Sequence, residues 1–287
     1  MPTAAQALLN DWSPPLGLDI ILLLTAALYL RGWLALRRSS PGLISAARLT
    51  AFLAGMFFLW VAIGSPLSAF DDVSLTIHMI QHILLMLVVP PLVLFGWPAL
   101  PLLHGIPLWF VRAPIGAVLR WSTAQRLGKF LVHPVVCWTS AAVALIAWHV
   151  PSLFELALRS DVWHDAEHLC FLATSILFWW PVVQPFPADQ RWPRWSIPVY
   201  LFLGMFPGGA LGAFLVFCDR VLYPSYLTSP RLFQVMPLAD QIFAGSLMWV
   251  LGVMVCIIPA VMITLKLLSP RVVVPDATLR SHPQSLA

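Results

Sequence analysis

The chain has 287 residues, of which 60% are hydrophobic and only 10% charged. A soluble domain carries roughly 25% charged residues, so this is an integral membrane protein. The net charge of +4 does not point to nucleic acid, because the basic residues are scattered over short loops and form no single patch.

In chain order, apolar runs predict seven spans at about 17–36, 47–64, 74–97, 132–150, 163–184, 195–217 and 238–267. The expected fold is all-α: a seven-transmembrane-helix bundle forming one polytopic membrane domain over residues 1–287, with a tail from 268 to 287. The opening stretch MPTAAQALLNDWSPPLGLDI has no basic n-region, so it leads into a retained first span and does not read as a cleaved signal peptide. Between spans three and four, residues 103–129 interleave Trp109, Phe110, Val111, Ile115, Val118 and Leu119 with Arg112, Arg120, Arg126 and Lys129. That pattern predicts an amphipathic segment at the membrane interface. Pro207-Gly208-Gly209 predicts a kink or an unwound turn in span six. The four cysteines, Cys137, Cys170, Cys218 and Cys256, form no C-x-C or C-x-x-C pair and read as buried free thiols.

The Lys/Arg bias orients the bundle with its N-terminus outside and its C-terminus cytoplasmic. All but Arg159, Arg220 and Arg231 of the 16 basic residues then fall on the cytoplasmic side. With that topology His78 and His82 lie in the outer half of span three, roughly 6 and 12 Å from its start. His149 lands at the outer end of span four, and His164 and His168 occupy the first two turns of span five. Asp240 and Gln241 open span seven on the same face. His104 and His133 fall on the cytoplasmic side, and His282 lies in the tail.

Spacing of four residues puts both imidazoles of each H-x-x-x-H pair on one helical face, about a turn apart. A single such pair is weak as a metal motif, and interfacial histidines commonly hydrogen-bond to backbone or water. Two pairs at one depth, with His149 beside them, predict a bound metal or cofactor, since ionisable groups inside a membrane are functional by default. Neutral imidazole suits Cu, Zn, Fe and Ni. Carboxylates at the rim (Asp71, Asp72, Asp165, Glu167 and Asp240) are available as ligands or as groups that orient the rings. Met79, Met86, Met205, Met236 and Met248 add thioethers, which with imidazole favour copper, although any one of them reads first as apolar filler.

The ordered set H-x-x-x-H, W-H-x-P, H-x-x-x-H and D-Q sits within three runs: SPLSAFDDVSLTIHMIQHILLMLVVPPLVLFG, WHVPSLFELALRSDVWHDAEHLCFLATSILFWWPV and LADQIFAGSLMWVLG. These resemble the CtaG-type cytochrome c oxidase assembly factors over about residues 20–265. The resemblance implies a multi-pass protein of the bacterial plasma membrane that helps assemble a haem–copper oxidase at the copper-delivery stage. It implies His78, His82, His149, His164, His168 and Asp240 as the site. Its partners would be oxidase subunits or a periplasmic copper chaperone, besides the lipid bilayer.

Other chemistries fit the same inventory. Histidines with an aspartate around zinc would make a membrane hydrolase. Facing histidines on spans three and five would serve as axial ligands of a b-type haem. Transport of copper across the bilayer requires polar or sulfur groups continuing inward, and the inner halves of spans three and five are nearly all apolar. That ranks transport below delivery. A delivery site exchanges ligands with a partner, so it is expected to be open to the aqueous side.

Overall fold

The computed structural model describes residues 6, 10, 12–107, 121–184, 192–231 and 234–269. Most of the expected interfacial segment (108–120) and nearly all of the expected tail (270–287) lie outside these residues. So do Arg112, Arg120, Arg191, Arg271, Arg280 and His282.

Among the described residues the protein is all-α. The long helices are α1 (Leu16–Ser39), α2 (Ala46–Ile63, carried on to Ala69 through a 3₁₀ turn) and α3 (Leu75–Phe95). A short α4 (Ala99–Gly105) follows, then α5 (Ser122–Leu131), α6 (Pro134–Trp148) and α7 (Pro151–Leu158). The chain closes with α8 (Asp161–Val183), α9 (Ser196–Phe217), a single turn α10 (Ser225–Thr228) and α11 (Pro237–Leu268). Six of these elements, α1, α2, α3, α8, α9 and α11, are long and apolar enough to cross a membrane. A seventh span exists only if α5 and α6, bent by 66°, count as one broken crossing.

The bend falls at the start of the expected fourth span (132–150), and α6 lies inside that range. Pro134 disfavours helical geometry at the residue before it, and His133 is accordingly extended (φ −68°, ψ 127°) and accepts a hydrogen bond from the Val135 N–H. Helix α6 therefore restarts at Pro134 and has only 15 residues, or about 22 Å against an apolar core of about 30 Å. Span three likewise ends at Phe95, before the expected 97, where Trp97 takes a left-handed conformation (φ 51°) that turns the chain into α4. Helix α9 runs unbroken through Pro207-Gly208-Gly209, so the expected unwound turn does not form.

Two details position the functional end of the bundle. Pro90 and Pro91 lack N–H groups, so the carbonyls four residues earlier lose their helical partners. Helix α3 answers with a π-helical segment at Leu84–Val88, and the freed carbonyl of Met86 accepts a hydrogen bond from the Trp179 indole of α8 (3.0 Å). Helices α9 and α11 pack more extensively than any other pair. At their crossing a Cβ on Gly212 would stand 2.7 Å from the Gly245 carbonyl oxygen, and one on Gly245 would stand 2.8 Å from that of Gly212. Only glycine allows this backbone contact, the small-residue packing that substitutes for a hydrophobic driving force inside lipid.

The core is divided along the bundle. One cluster, including Leu75, Met79, Phe154, Phe171 and Tyr223, lies around the histidines. A second, including Leu94, Trp179, Leu201 and Cys256, lies toward the other end of the same helices. Large exposed side chains such as Phe202, Phe206, Phe214 and Ile258 cover the outside of α9 and α11, as surfaces that meet acyl chains should.

Candidate metal centre

Helix α3 is started by two side chains. Ser74 accepts a hydrogen bond from the Ile77 N–H, and Asp240 of α11 accepts from the N–H groups of Leu75 (2.7 Å) and Thr76 (3.2 Å) and from the Ser74 hydroxyl (3.1 Å). These bonds satisfy N–H groups that a helix start leaves without partners. They also fix the rotation of the first turns, which brings His78 and His82 to the buried face. On α8 the positions His164, Glu167, His168, Phe171 and Ser175 follow the three-and-four spacing of one inward stripe. His149 ends α6, where its Nδ1–H donates to the Leu145 carbonyl at 2.8 Å. That bond selects the tautomer and leaves Nε2 as a free lone pair.

The five rings meet. The ring centroids of His78 and His82 are 4.3 Å apart, and those of His164 and His168 are 4.2 Å apart. Across the helices His78 faces His164 at 5.4 Å and His82 faces His168 at 5.5 Å, with His149 6.2 Å from His82. His82 is the hub, touching rings from all three contributing segments. Glu167 enters between the first pair, with carboxylate oxygens 3.9 Å from His78 Nε2 and 3.7 Å from His82 Nε2. Ligand atoms of His78, His82 and Glu167 all lie within 4.8 Å of one another, and all three residues are buried.

Among the described residues, none of these atoms has a hydrogen-bond partner. Both ring nitrogens of His78 and of His82, both oxygens of Glu167, and Nε2 of His149, His164 and His168 are buried without a hydrogen bond. Each such atom costs about 1–3 kcal/mol if left unsatisfied. A set of lone pairs pointing together with one carboxylate is the donor chemistry of a bound cation.

Asp240 is not among the residues that touch the rings. Its carboxylate is taken up in capping α3, so the structure gives it a helix-starting role where the sequence suggested a ligand. Its neighbour Gln241 is fully buried and clasps the end of α9, accepting from the Leu222 N–H (2.7 Å) and donating to the carbonyls of Leu215 and Arg220. The D-Q pair thus fastens two neighbouring elements. Glu167, expected at the rim, is instead inside the cluster. Asp71 stands 3.8 Å from His164 Nε2, and burial, reinforced by the adjacent Asp72, holds its carboxyl up at about 7.

The site is covered. Phe154 of α7 lies 4.9 Å from His78 and stacks on Tyr223 at 3.8 Å. The Tyr223 hydroxyl donates to the His149 carbonyl, and that of Tyr226 to the Asp71 carbonyl. Glu155 holds this cover down by accepting from the Ser225 N–H (3.1 Å) and hydroxyl. His164, with 21% of its side chain exposed, is the most open of the five histidines. The expectation of a site open to water therefore gives way to a closed chamber with one accessible edge. Phe154, Tyr223 and Tyr226 carry no ligand signal in the sequence, because their apolar and aromatic character reads as ordinary core.

The profile of the cytochrome c oxidase caa3 assembly factor family matches residues 27–269. The chain belongs to this family. The family is described as one of assembly factors, and the chain is a multi-pass protein of the bacterial inner membrane. Among curated proteins it is similar to uncharacterized proteins of Mycobacterium bovis and Mycobacterium tuberculosis, each 26% identical over 224 residues. A Mycobacterium leprae protein is 23% identical over the same length. Each alignment covers 77% of this chain and 34% of the relative, so the chain spans about a third of the length of these relatives. No solved structure matches the chain.

Proposed function

We propose that the protein binds copper in the histidine–glutamate chamber, at the extracytoplasmic face, and delivers it to an apo cytochrome c oxidase, directly or through a periplasmic copper chaperone. The observation that carries this reading is the convergence of His78, His82 and Glu167, with ligand atoms within 4.8 Å and no other partner. His149, His164 and His168 ring that centre. The family supports the destination, since its description is of oxidase assembly.

Glu167 supplies one negative charge at the centre, where Cu(I) with Glu167 is neutral. Asp71, 3.8 Å from His164, adds a carboxyl at the edge, where an entering ion would meet it first. Loading would begin at His164, which is flanked by Asp71 and Asp72 and by Asp161 and Asp165 on its own helix. The ion would then pass inward by ligand exchange to His78 and His168, and so to His82 and Glu167. The distribution of basic residues supports the outward orientation of this end of the bundle.

His78, His82 and Glu167 are also a donor set that zinc accepts, and one experiment separates the two metals. The protein is purified without a histidine tag from copper-replete cells and its metals are measured. Copper is expected, with marked loss in His82→Ala and in His168→Ala. Zinc in place of copper, or no metal, overturns the proposal.

A further inference from the structure

Directly beneath His82 and His149, away from the aromatic cover, a cavity of about 90 Å³ runs into the bundle between α3, α6, α8, α9 and α11. Its walls carry four sulfur side chains from three helices: Met86, Met205, Met248 and Cys256. Sequence reading ranked inward passage low because spans three and five are apolar in their inner halves. The structure draws three of these four sulfurs from elsewhere, from α9 and α11. Around them the walls are apolar, and Trp138 contributes a buried indole N–H without a partner. His82, 2% exposed, has two unpartnered ring nitrogens and lines the roof beside the free Nε2 of His149. Methionine used as filler would occupy such a space. Here three methionines and a cysteine line one and leave it unfilled.

We propose that this cavity is a second, sulfur-lined site for a thiophilic monovalent cation, Cu(I), loaded from the chamber above through His82 and His149. The proposal rests on the reading of that chamber as a copper site. Thioethers are soft, uncharged donors that suit Cu(I) and serve hard cations poorly. Met86 lies about one turn beyond His82 on α3, so Cu–N bonds to the two histidines are exchanged for Cu–S bonds with no change of oxidation state. The thioethers bind as neutral donors, so the ion carries its single positive charge with it and the exchange breaks and forms only metal–ligand bonds.

Anaerobic titration of the purified full-length protein with Cu(I), in competition with a chromophoric chelator, tests this. Wild type is expected to hold two ions, and copper-edge X-ray absorption should report both nitrogen and sulfur neighbours. The triple variant Met86→Leu, Met205→Leu, Met248→Leu keeps the volume of the walls and should lose one ion together with the sulfur signal. Gly252→Val guards against misfolding in the triple variant. Gly252 lines the cavity and a Cβ there meets nothing within 4 Å, so valine should occupy the space and remove the second ion while leaving every ligand in place. A single ion in wild type, without sulfur neighbours and unaffected by these variants, overturns the second site and leaves the chamber standing. No bound copper at all overturns both readings.

Discussion

At the scale of single residues, the chamber separates the proposed metal ligands from the groups that position them. Glu167 is a carboxylate buried among neutral rings, so in metal-free protein it destabilises the fold, and with a cation it becomes the neutralising partner. Glu167→Gln keeps the shape and removes the charge. It should raise the melting temperature of the metal-free protein and weaken copper binding by about tenfold or more, as read by thermal unfolding and chelator competition. Asp240 makes the opposite case. Asp240→Ala should cost about 0.5–2 kcal/mol of stability through the lost cap and leave copper stoichiometry unchanged. Loss of the metal with unchanged stability would restore Asp240 as a ligand. Sequence alone could not assign these roles. Glu167 and Asp240 are both acids near a helix start, and only the stripe through His164, Glu167, His168 and Phe171 marks the first as inward-facing. A cap on another helix, 166 residues away at Ser74, leaves no local pattern to find.

At the scale of elements, the long apolar runs were legible because a helix in lipid satisfies its own backbone, so length and composition suffice to find it. Six of the expected spans reappear with boundaries shifted by a few residues. The exceptions arise from proline. Pro134 breaks the chain between α5 and α6 at the start of the expected fourth span, and Pro90 with Pro91 introduces the π-helical segment below His82. The sequence announced those prolines but not the neighbour that would accept the consequence. Trp179 does so by donating to the Met86 carbonyl. Trp179→Phe should therefore lose about 1 kcal/mol, with its largest effect on amide exchange around Met86. Helix pairing was also hidden, because Gly212 and Gly245 lie in different spans and reveal their contact only once assembled. Gly245→Leu should push α9 from α11 and destabilise the protein by about 1–3 kcal/mol or more. Gly17, around which nothing lies within 4 Å, should tolerate alanine as a control.

At the scale of the molecule, the chamber is built by three membrane segments and closed by a fourth region, and the closure has its own pH dependence. Burial tends to raise the Glu155 carboxyl, but the hydrogen bonds from Ser225 and the nearby Arg159 outweigh it and leave it below its ordinary value of 4.5. A depressed carboxylate contributes stability that is fully present above its unfolded value and is lost as pH falls through its folded one. The protection factor at Tyr223–Tyr226, corrected for the intrinsic pH dependence of amide exchange, should thus be steady from neutral pH to about 5 and fall below 4.5. Glu155→Ala should show the lower protection near neutral pH and approach wild type in acid. The aromatic stack of Phe154 on Tyr223 also has a kinetic meaning. Affinity for an ion is set by the ligands, but an ion behind a closed stack departs only as fast as the stack opens. Residence time and binding strength are therefore governed by different parts of the chain. A recipient that competes for the Glu155–Ser225 latch would shorten the first without altering the second, releasing cargo on contact and retaining it everywhere else.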